Sequence, residues 1–279
     1  MKVEVPEDPG STSFENLLPP ALHRGALRPL GRMLMRVSGL GEFERIVERA
    51  RRRGAGESIA EAVLAESRVR WRWTNHDDVR IPGSGPTIVV ANHAFGVADG
   101  LMLHSIARAH RGDALTIANY ALRYVPEAAD ELIFVDPIDD PVRRRENAPP
   151  LRQTVRHLAG GGAIAMFPAG AMMRWMPRER RVVDPPWSRS LGGLARLSGA
   201  TIVPLYFHGR NRLRFTIANA VSRDAGLALM LAEFIARQDS DLLVTAGEPI
   251  PFSALEGLDD EAITAHARRA TLALADAAG

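Results

Sequence analysis

The 279-residue chain contains no cysteine. Disulfides, thiolate metal sites and a cysteine nucleophile are therefore all excluded. Aromatic residues are sparse at 6%, and the formal net charge is only +2. That combination argues against a nucleic-acid binder, which would interleave aromatics with a dominant basic surface. No Gly-x-Ser-x-Gly elbow occurs, which counts against a serine hydrolase. No uninterrupted apolar run reaches the roughly 18 residues that span a bilayer. The opening residues MKVEVPEDPGSTS are acidic, carry Pro and Gly, and do not read as a signal peptide. No internal repeat is present.

What is there fits a globular protein with a substantial core: 46% hydrophobic and 24% charged residues. Arginines crowd the first part of the chain at Arg24, Arg28, Arg32, Arg36, Arg45, Arg49, Arg51, Arg52 and Arg53. Interleaved with Leu, Met and Val, they describe either a helix that rests on an anionic membrane surface or a solvated helix face.

Residues 1–20 read as a leader ending at Pro19-Pro20, and 21–66 as helices broken at Gly54–Gly56. From residue 69 the pattern alternates. VRWRW, TIVVAN, ALTIAN, ELIFV, AIAMF, TIVPLYF and DLLVTAG read as strands, with helices expected from Asp99 to His110 and near 143–159, 189–198, 225–237 and 259–278. The expected fold is α/β: a single mixed β-sheet flanked by helices, with an N-terminal helical segment. The divisions are 1–68 for leader and helical segment, 69–255 for the core, and 256–279 for a C-terminal helix.

Three segments carry chemistry. In Val90-Ala91-Asn92-His93-Ala94-Phe95-Gly96-Val97-Ala98-Asp99, a buried strand ends at Asn92 and a helix opens near Asp99, placed at its N-cap. Ligands of open α/β sheets bind beyond the carboxyl ends of strands, where His93 falls. His93 and Asp99 can meet only if the segment between them bends, which Gly96 permits. A paired imidazole would be a general base, with the carboxylate fixing its tautomer. A structural histidine is the alternative at this point.

In Phe167-Pro168-Ala169-Gly170, a strand runs into a tight turn whose amides suit an anion or oxyanion, unless it is an ordinary β-turn. Arg174, Arg178, Arg180 and Arg181 follow, either as phosphate partners or as a solvated loop. In the third segment, Pro204 inside TIVPLYF suggests an edge strand or a bulge, and His208, Arg210 and Asn211 lie just past its end. His104 and His110 read as structural.

These three segments, in this order, resemble the glycerolphosphate and lysophospholipid acyltransferase (PlsC-like) family. Its Asn-His…Asp motif is matched by Asn92-His93 and Asp99, with five intervening residues in place of the commoner four, as in the bacterial branch called hemolysin-like. Phe167-Pro168-Ala169-Gly170 resembles the family's Phe-Pro-Glu-Gly, and Ile202-Val203-Pro204 its proline-bearing strand. The stretch from Pro186-Trp187 to Asn211 also resembles that branch. Two departures stand out. Ala169 replaces the family's acceptor-binding Glu, and Phe134-Val135-Asp136 runs into Pro137 where an Arg is usual, with Arg143, Arg144 and Arg145 the nearest basic residues.

The resemblance implies an O-acyltransferase. His93, oriented by Asp99, would deprotonate an acceptor hydroxyl that attacks an acyl thioester, with the oxyanion held by backbone amides around Gly170. Asn92, Phe167, Pro168, Gly170, Arg174, His208 and Arg210 would bind substrate. Acyl-CoA or acyl-ACP (acyl carrier protein) would be the co-substrate, with no cofactor and no metal. The acceptor would be a lysophospholipid or a lyso-lipid carrying an amino acid. The implied setting is cytoplasmic, peripheral on the inner face of the membrane. The competing expectation is a non-catalytic lipid-binding protein on the same scaffold.

Overall fold

The protein is described by a computed structural model over residues 38–53, 58–75, 80–119, 126–136, 147–221 and 223–278. The helical expectation over 21–37, the break at Gly54–Gly56, and Pro137 with Arg143–Arg145 lie outside the described residues.

Local sequence explains where the elements start. Helix α1 spans Leu40–Arg51 and follows Gly39, whose φ of 72° is a left-handed conformation natural to glycine. Helix α2, Ile59–Ser67, opens with a capping box in which the Ser58 side chain accepts from the Glu61 N–H and Glu61 returns to the Ser58 N–H. The strands are β1 Arg70–Trp73, β2 Thr87–Ala91, β3 Leu115–Asn119, β4 Leu132–Val135, β5 Ala163–Met166, β8 Thr201–Phe207 and β9 Asp241–Ala246. They form one seven-stranded sheet in the order β1-β9-β8-β2-β5-β3-β4. β8, β2, β5, β3 and β4 run parallel, while β9 is antiparallel to β8 and carries β1 parallel to itself. All seven strands were legible, six as apolar runs and β1 as the alternating RWRW, and the sheet is mixed and helix-flanked as expected.

The central strands β2 and β5 are buried along their whole length, as the unbroken runs TIVVA and AIAM require of strands covered on both faces. One apolar cluster gathers α1, α2, helix α3 (Val97–His110) and helix α7 (Arg223–Ile235) against the sheet through Ile46, Val63, Met102, Leu103 and Phe234. A second gathers helix α4 (Ala148–Ala159), helix α5 (Ser190–Ser198) and helix α8 (Asp260–Ala273) through Leu158, Leu191, Leu194 and Ile263. The buried Arg111 guanidinium staples the loops at the amino end of the sheet, donating to the carbonyls of Pro82, Gly85 and Gly161 and pairing with Asp113.

Three features differ from the sequence reading. Pro204 lies in an interior strand, not at an edge. The bulge half of that expectation holds, because pairing slips by one residue between Leu205↔Ala246 and Ile202↔Ile250. The bulge accommodates the missing N–H on that side of the strand. Two elements went unread: a hairpin of β6 (Arg174–Met176) and β7 (Arg181–Val183), and helix α6 (Leu213–Val221). Both are short, and their arginines hide any apolar period.

Helices α5 and α8 approach closely at Gly192. A Cβ there would fall 2.0 Å from the Asp260 carbonyl oxygen. The Gly192 N–H donates to Thr264 Oγ1, which in turn donates to that same carbonyl. Gly192→Ala should therefore lower stability by about 1–3 kcal/mol, read as a reduced Tm in thermal unfolding.

His104 is buried between the Thr116 hydroxyl at Nδ1 and Glu131 Oε2 at Nε2. Burial holds its pKa below the ordinary imidazole value, with Glu131 opposing. The unfolded chain then binds the proton more readily than the folded one. Stability should fall as pH drops from about 6.5, and His104→Gln should flatten that slope in pH-dependent denaturant melts.

Candidate active site

Strand β2 ends at Ala91, and the next residue fixes how the chain leaves the sheet. Asn92 is fully buried, its Nδ2 donating to the Phe207 carbonyl at 3.0 Å and its Oδ1 accepting the Phe207 N–H at 2.8 Å. This two-way clasp ties the carboxyl ends of β2 and β8 together. Expected to bind substrate, Asn92 instead positions the backbone, because both polar atoms of its side chain are already engaged away from solvent.

His93 follows, with its side chain 18% exposed. Its main chain is held from two sides: its N–H donates to Asp184 Oδ1 at 3.1 Å, and its carbonyl accepts from the Met173 N–H at 2.7 Å. The turn then bends through Gly96, at φ 90°. A Cβ there would meet Met172 Sδ at 2.7 Å and Met230 Cγ at 3.0 Å, so both backbone and space demand glycine. Helix α3 starts at Val97, two residues earlier than expected, and Asp99 sits within its first turn with Gly96 as the N-cap.

This bend closes the dyad. His93 Nδ1 lies 3.1 Å from Asp99 Oδ2. The same oxygen accepts the Phe95 N–H at 2.9 Å, and Asp99 has no exposed surface. Facing a carboxylate, Nδ1 carries the proton, which leaves Nε2 as the basic nitrogen. Asp99 Oδ1 is buried without a hydrogen-bond partner among the described residues.

Phe167 supports the imidazole from the other side. The two rings stack with centroids 3.9 Å apart and planes within 15°. Pro168 is buried and gives its carbonyl to the Ser188 N–H, and the Gly170 N–H closes the turn on the Phe167 carbonyl. That amide is therefore engaged and not presented to an oxyanion. Ala169 packs against the second apolar cluster. Arg174 is exposed on the hairpin. His208 turns towards β9, its Nε2 2.6 Å from Thr245 Oγ1, and burial lowers its pKa. Arg210 is exposed, with its carbonyl bound by Arg237. The structure thus brings His93, Asp99 and Phe167 together and leaves the side chains of His208 and Arg210 without contact to the imidazole.

Sequence reasoning missed two residues. Asp184 is buried, accepting the His93 N–H on one oxygen and the Trp187 Nε1–H at 2.5 Å on the other. Burial raises its carboxyl pKa against these two donors. Arg237 lies with its guanidinium 4.0 Å over the Phe95 ring and donates to the Arg210 carbonyl and to Asn211 Oδ1. Asn211 Nδ2 reaches the Phe95 carbonyl at 3.3 Å. The attraction of Asp99 and Glu233 for Arg237 resists the fall in its pKa that burial causes. The available signals were Asp184-Pro185-Pro186-Trp187 and Asn211, whose meaning depends on what lies opposite them in space.

Residues 72–208 match the model of the acyltransferase family. Among solved structures that match is the 1-acyl-sn-glycerophosphate (LPA) acyltransferase PlsC from Thermotoga maritima, at 12% identity and a TM-score of 0.47, over 88% of this chain and 87% of that one. The comparison with curated proteins returned no match.

The roles of the two buried carboxylates separate by substitution. Asp99→Asn removes the charge that would stabilise an imidazolium, and acyl-transfer kcat should fall on the order of a hundredfold or more with little change in Tm. Asp184→Asn turns an amide NH₂ towards an N–H donor, since both oxygens are in use. It should lower kcat and Tm together, measured by turnover and thermal unfolding of the same preparations.

Proposed function

We propose that the protein is an O-acyltransferase that moves a fatty acyl group from acyl-CoA or acyl-ACP to the hydroxyl of a lyso-lipid, with His93 as general base. The observation that carries this reading is the His93 imidazole, fixed at Nδ1 by a carboxylate with no exposed surface and backed by Phe167. This leaves Nε2 free to take a proton, within a segment that belongs to an acyltransferase family. A base held in one tautomer is suited to an acceptor that attacks directly, so no protein nucleophile is required.

The steps balance as follows. Nε2 removes the proton of the acceptor hydroxyl as its oxygen attacks the thioester carbonyl. The tetrahedral intermediate collapses with cleavage of the carbon–sulfur bond. The departing thiolate takes the proton from the imidazolium, which returns His93 to its starting state. Asp99 stabilises the imidazolium between these steps, and the reading needs neither a metal nor a resident cofactor. With the Gly170 N–H committed to its turn, oxyanion donors would come from elsewhere at the mouth of the site.

The acceptor is inferred from Ala169. The position that bears a Glu in the family pattern carries a methyl group packed on apolar side chains. A carboxylate contact to a glycerol phosphate head group is therefore missing, which favours a different head group such as a lyso-lipid bearing an amino acid. Such acceptors reside in membranes. The reading places the protein as a peripheral membrane protein on the cytoplasmic face, in keeping with the absence, among the described residues, of any helix long and apolar enough to cross a bilayer.

The test is incubation of wild type and His93→Ala with labelled acyl-CoA and acyl-ACP against lysophosphatidic acid, other lysophospholipids and lyso-amino-acid lipids, with products read by mass spectrometry. Wild type should form an acylated lipid, with the rate reduced on the order of a hundredfold or more in His93→Ala. Retained acyl-ligand binding with no product from any pair would overturn the reading in favour of a non-catalytic lipid-binding protein.

A further inference from the structure

Three of the large apolar side chains exposed among the described residues lie on the two adjoining elements that sequence reading missed. Helix α6 buries Phe215 completely yet leaves Leu213 73% and Ile217 55% exposed. Four residues apart, these two share one face of the helix. The hairpin strand β6 packs beside α6 and leaves Trp175 43% exposed. Arginines surround them: Arg174, Arg178 and Arg180 on the hairpin, and Arg210, Arg212 and Arg214 leading into and along the helix, all exposed. Across residues 174–181 and 210–217 the only acid is Glu179, which is paired with Arg181, and the buried Glu233 reaches in from α7 to pair with Arg214.

We propose that α6 and the β6–β7 hairpin form a docking face for an anionic lipid bilayer, with Leu213, Ile217 and Trp175 entering the interfacial layer and the arginines meeting lipid phosphates. Exposed Leu and Ile are costly in water and gain on entering acyl chains, while Trp favours the polar–apolar boundary. Guanidinium groups match phosphate oxygens in paired hydrogen bonds and are attracted by the negative surface potential. The union of protruding aliphatic side chains with arginines that outnumber the acids beside them favours a bilayer over an acidic protein, for which the arginines alone would serve.

The face is also tied to the reacting imidazole. The hairpin begins immediately after Met173, whose N–H bonds the His93 carbonyl. Helix α6 begins two residues past Asn211, which bonds the Phe95 carbonyl. Docking here would set the site against the layer that holds a lyso-lipid. This last point alone rests on the proposed function.

The test is co-sedimentation of the full chain with vesicles of phosphatidylcholine, with and without phosphatidylglycerol. The variants are Trp175→Ala/Leu213→Ser/Ile217→Ser and, as a control, Leu197→Ser on α5, a side chain 64% exposed. Wild type and control should bind the phosphatidylglycerol vesicles much better than phosphatidylcholine alone. The triple variant should lose about tenfold or more of that affinity while keeping the wild-type Tm and turnover of detergent-dispersed acceptor. Unchanged vesicle binding in the triple variant would overturn the proposal. So would binding that survives the triple variant but is lost in Arg28→Glu/Arg32→Glu/Arg36→Glu. A triple variant that keeps vesicle binding and loses only acyl-ACP utilisation would reassign the face to the acidic carrier protein. Failure of wild type to turn over any acceptor would overturn the enzymatic reading and leave the vesicle result standing.

Discussion

A carboxylate with no access to water has to be satisfied by the protein that surrounds it, and around Asp99 this requirement organises the site. One oxygen takes both the His93 Nδ1–H and the Phe95 N–H, so the chain must fold back over itself between residues 93 and 99. That fold needs a left-handed residue with no side chain, and Gly96 supplies it. The other oxygen is buried and has no hydrogen-bond partner among the described residues. An oxygen held by two fixed donors would cost little reorganisation in the proposed reaction, where an imidazolium forms beside it.

The groups that hold the dyad come from both sides of β2. Asn92 clasps β8 through Phe207. Asp184 joins the His93 main chain to Trp187, and the Arg268 guanidinium of the C-terminal helix α8 donates to the Asp184 carbonyl. Arg237 of the chain following α7, together with Asn211, fixes Phe95. The His93 imidazole is therefore set by its Nδ1–Asp99 contact, by hydrogen bonds to the backbone around it and by one stacked ring, while the exposed arginines of the hairpin and α6 remain outside this frame. Rigidity at the imidazole and exposure at the rim are what the proposed reaction would need, with a fixed base and a lipid substrate arriving from a surface.

A local pattern in the chain was enough for the elements whose burial follows from composition. Six of the seven sheet strands are short runs rich in apolar residues and β1 is the alternating RWRW, so their type was legible. The hairpin and α6 were not, because arginines at Arg174, Arg181, Arg212 and Arg214 break both periods and because their shape depends on the sheet ends from which they spring. Pro204 misled in part for a similar reason. Alone it signals an edge, but the one-residue slip opposite it, at the segment after β9, makes an interior position possible.

By itself the sequence determined the α/β class, the position of His93 at a strand end, and a glycine-bearing turn that permits His93 and Asp99 to meet. These depend on neighbours in the chain and on periodicity. Tertiary structure alone decided that Asn92 and Pro168 hold backbone while Phe167 touches the imidazole, that the Gly170 amide is already engaged, and that Asp184 and Arg237 belong to the site. Apart from the Gly170 turn, each of those roles is set by a partner far away in the chain. The chain carries no local signal for which carbonyl, ring or carboxylate will stand opposite until the sheet order β8-β2-β5 brings the segments together.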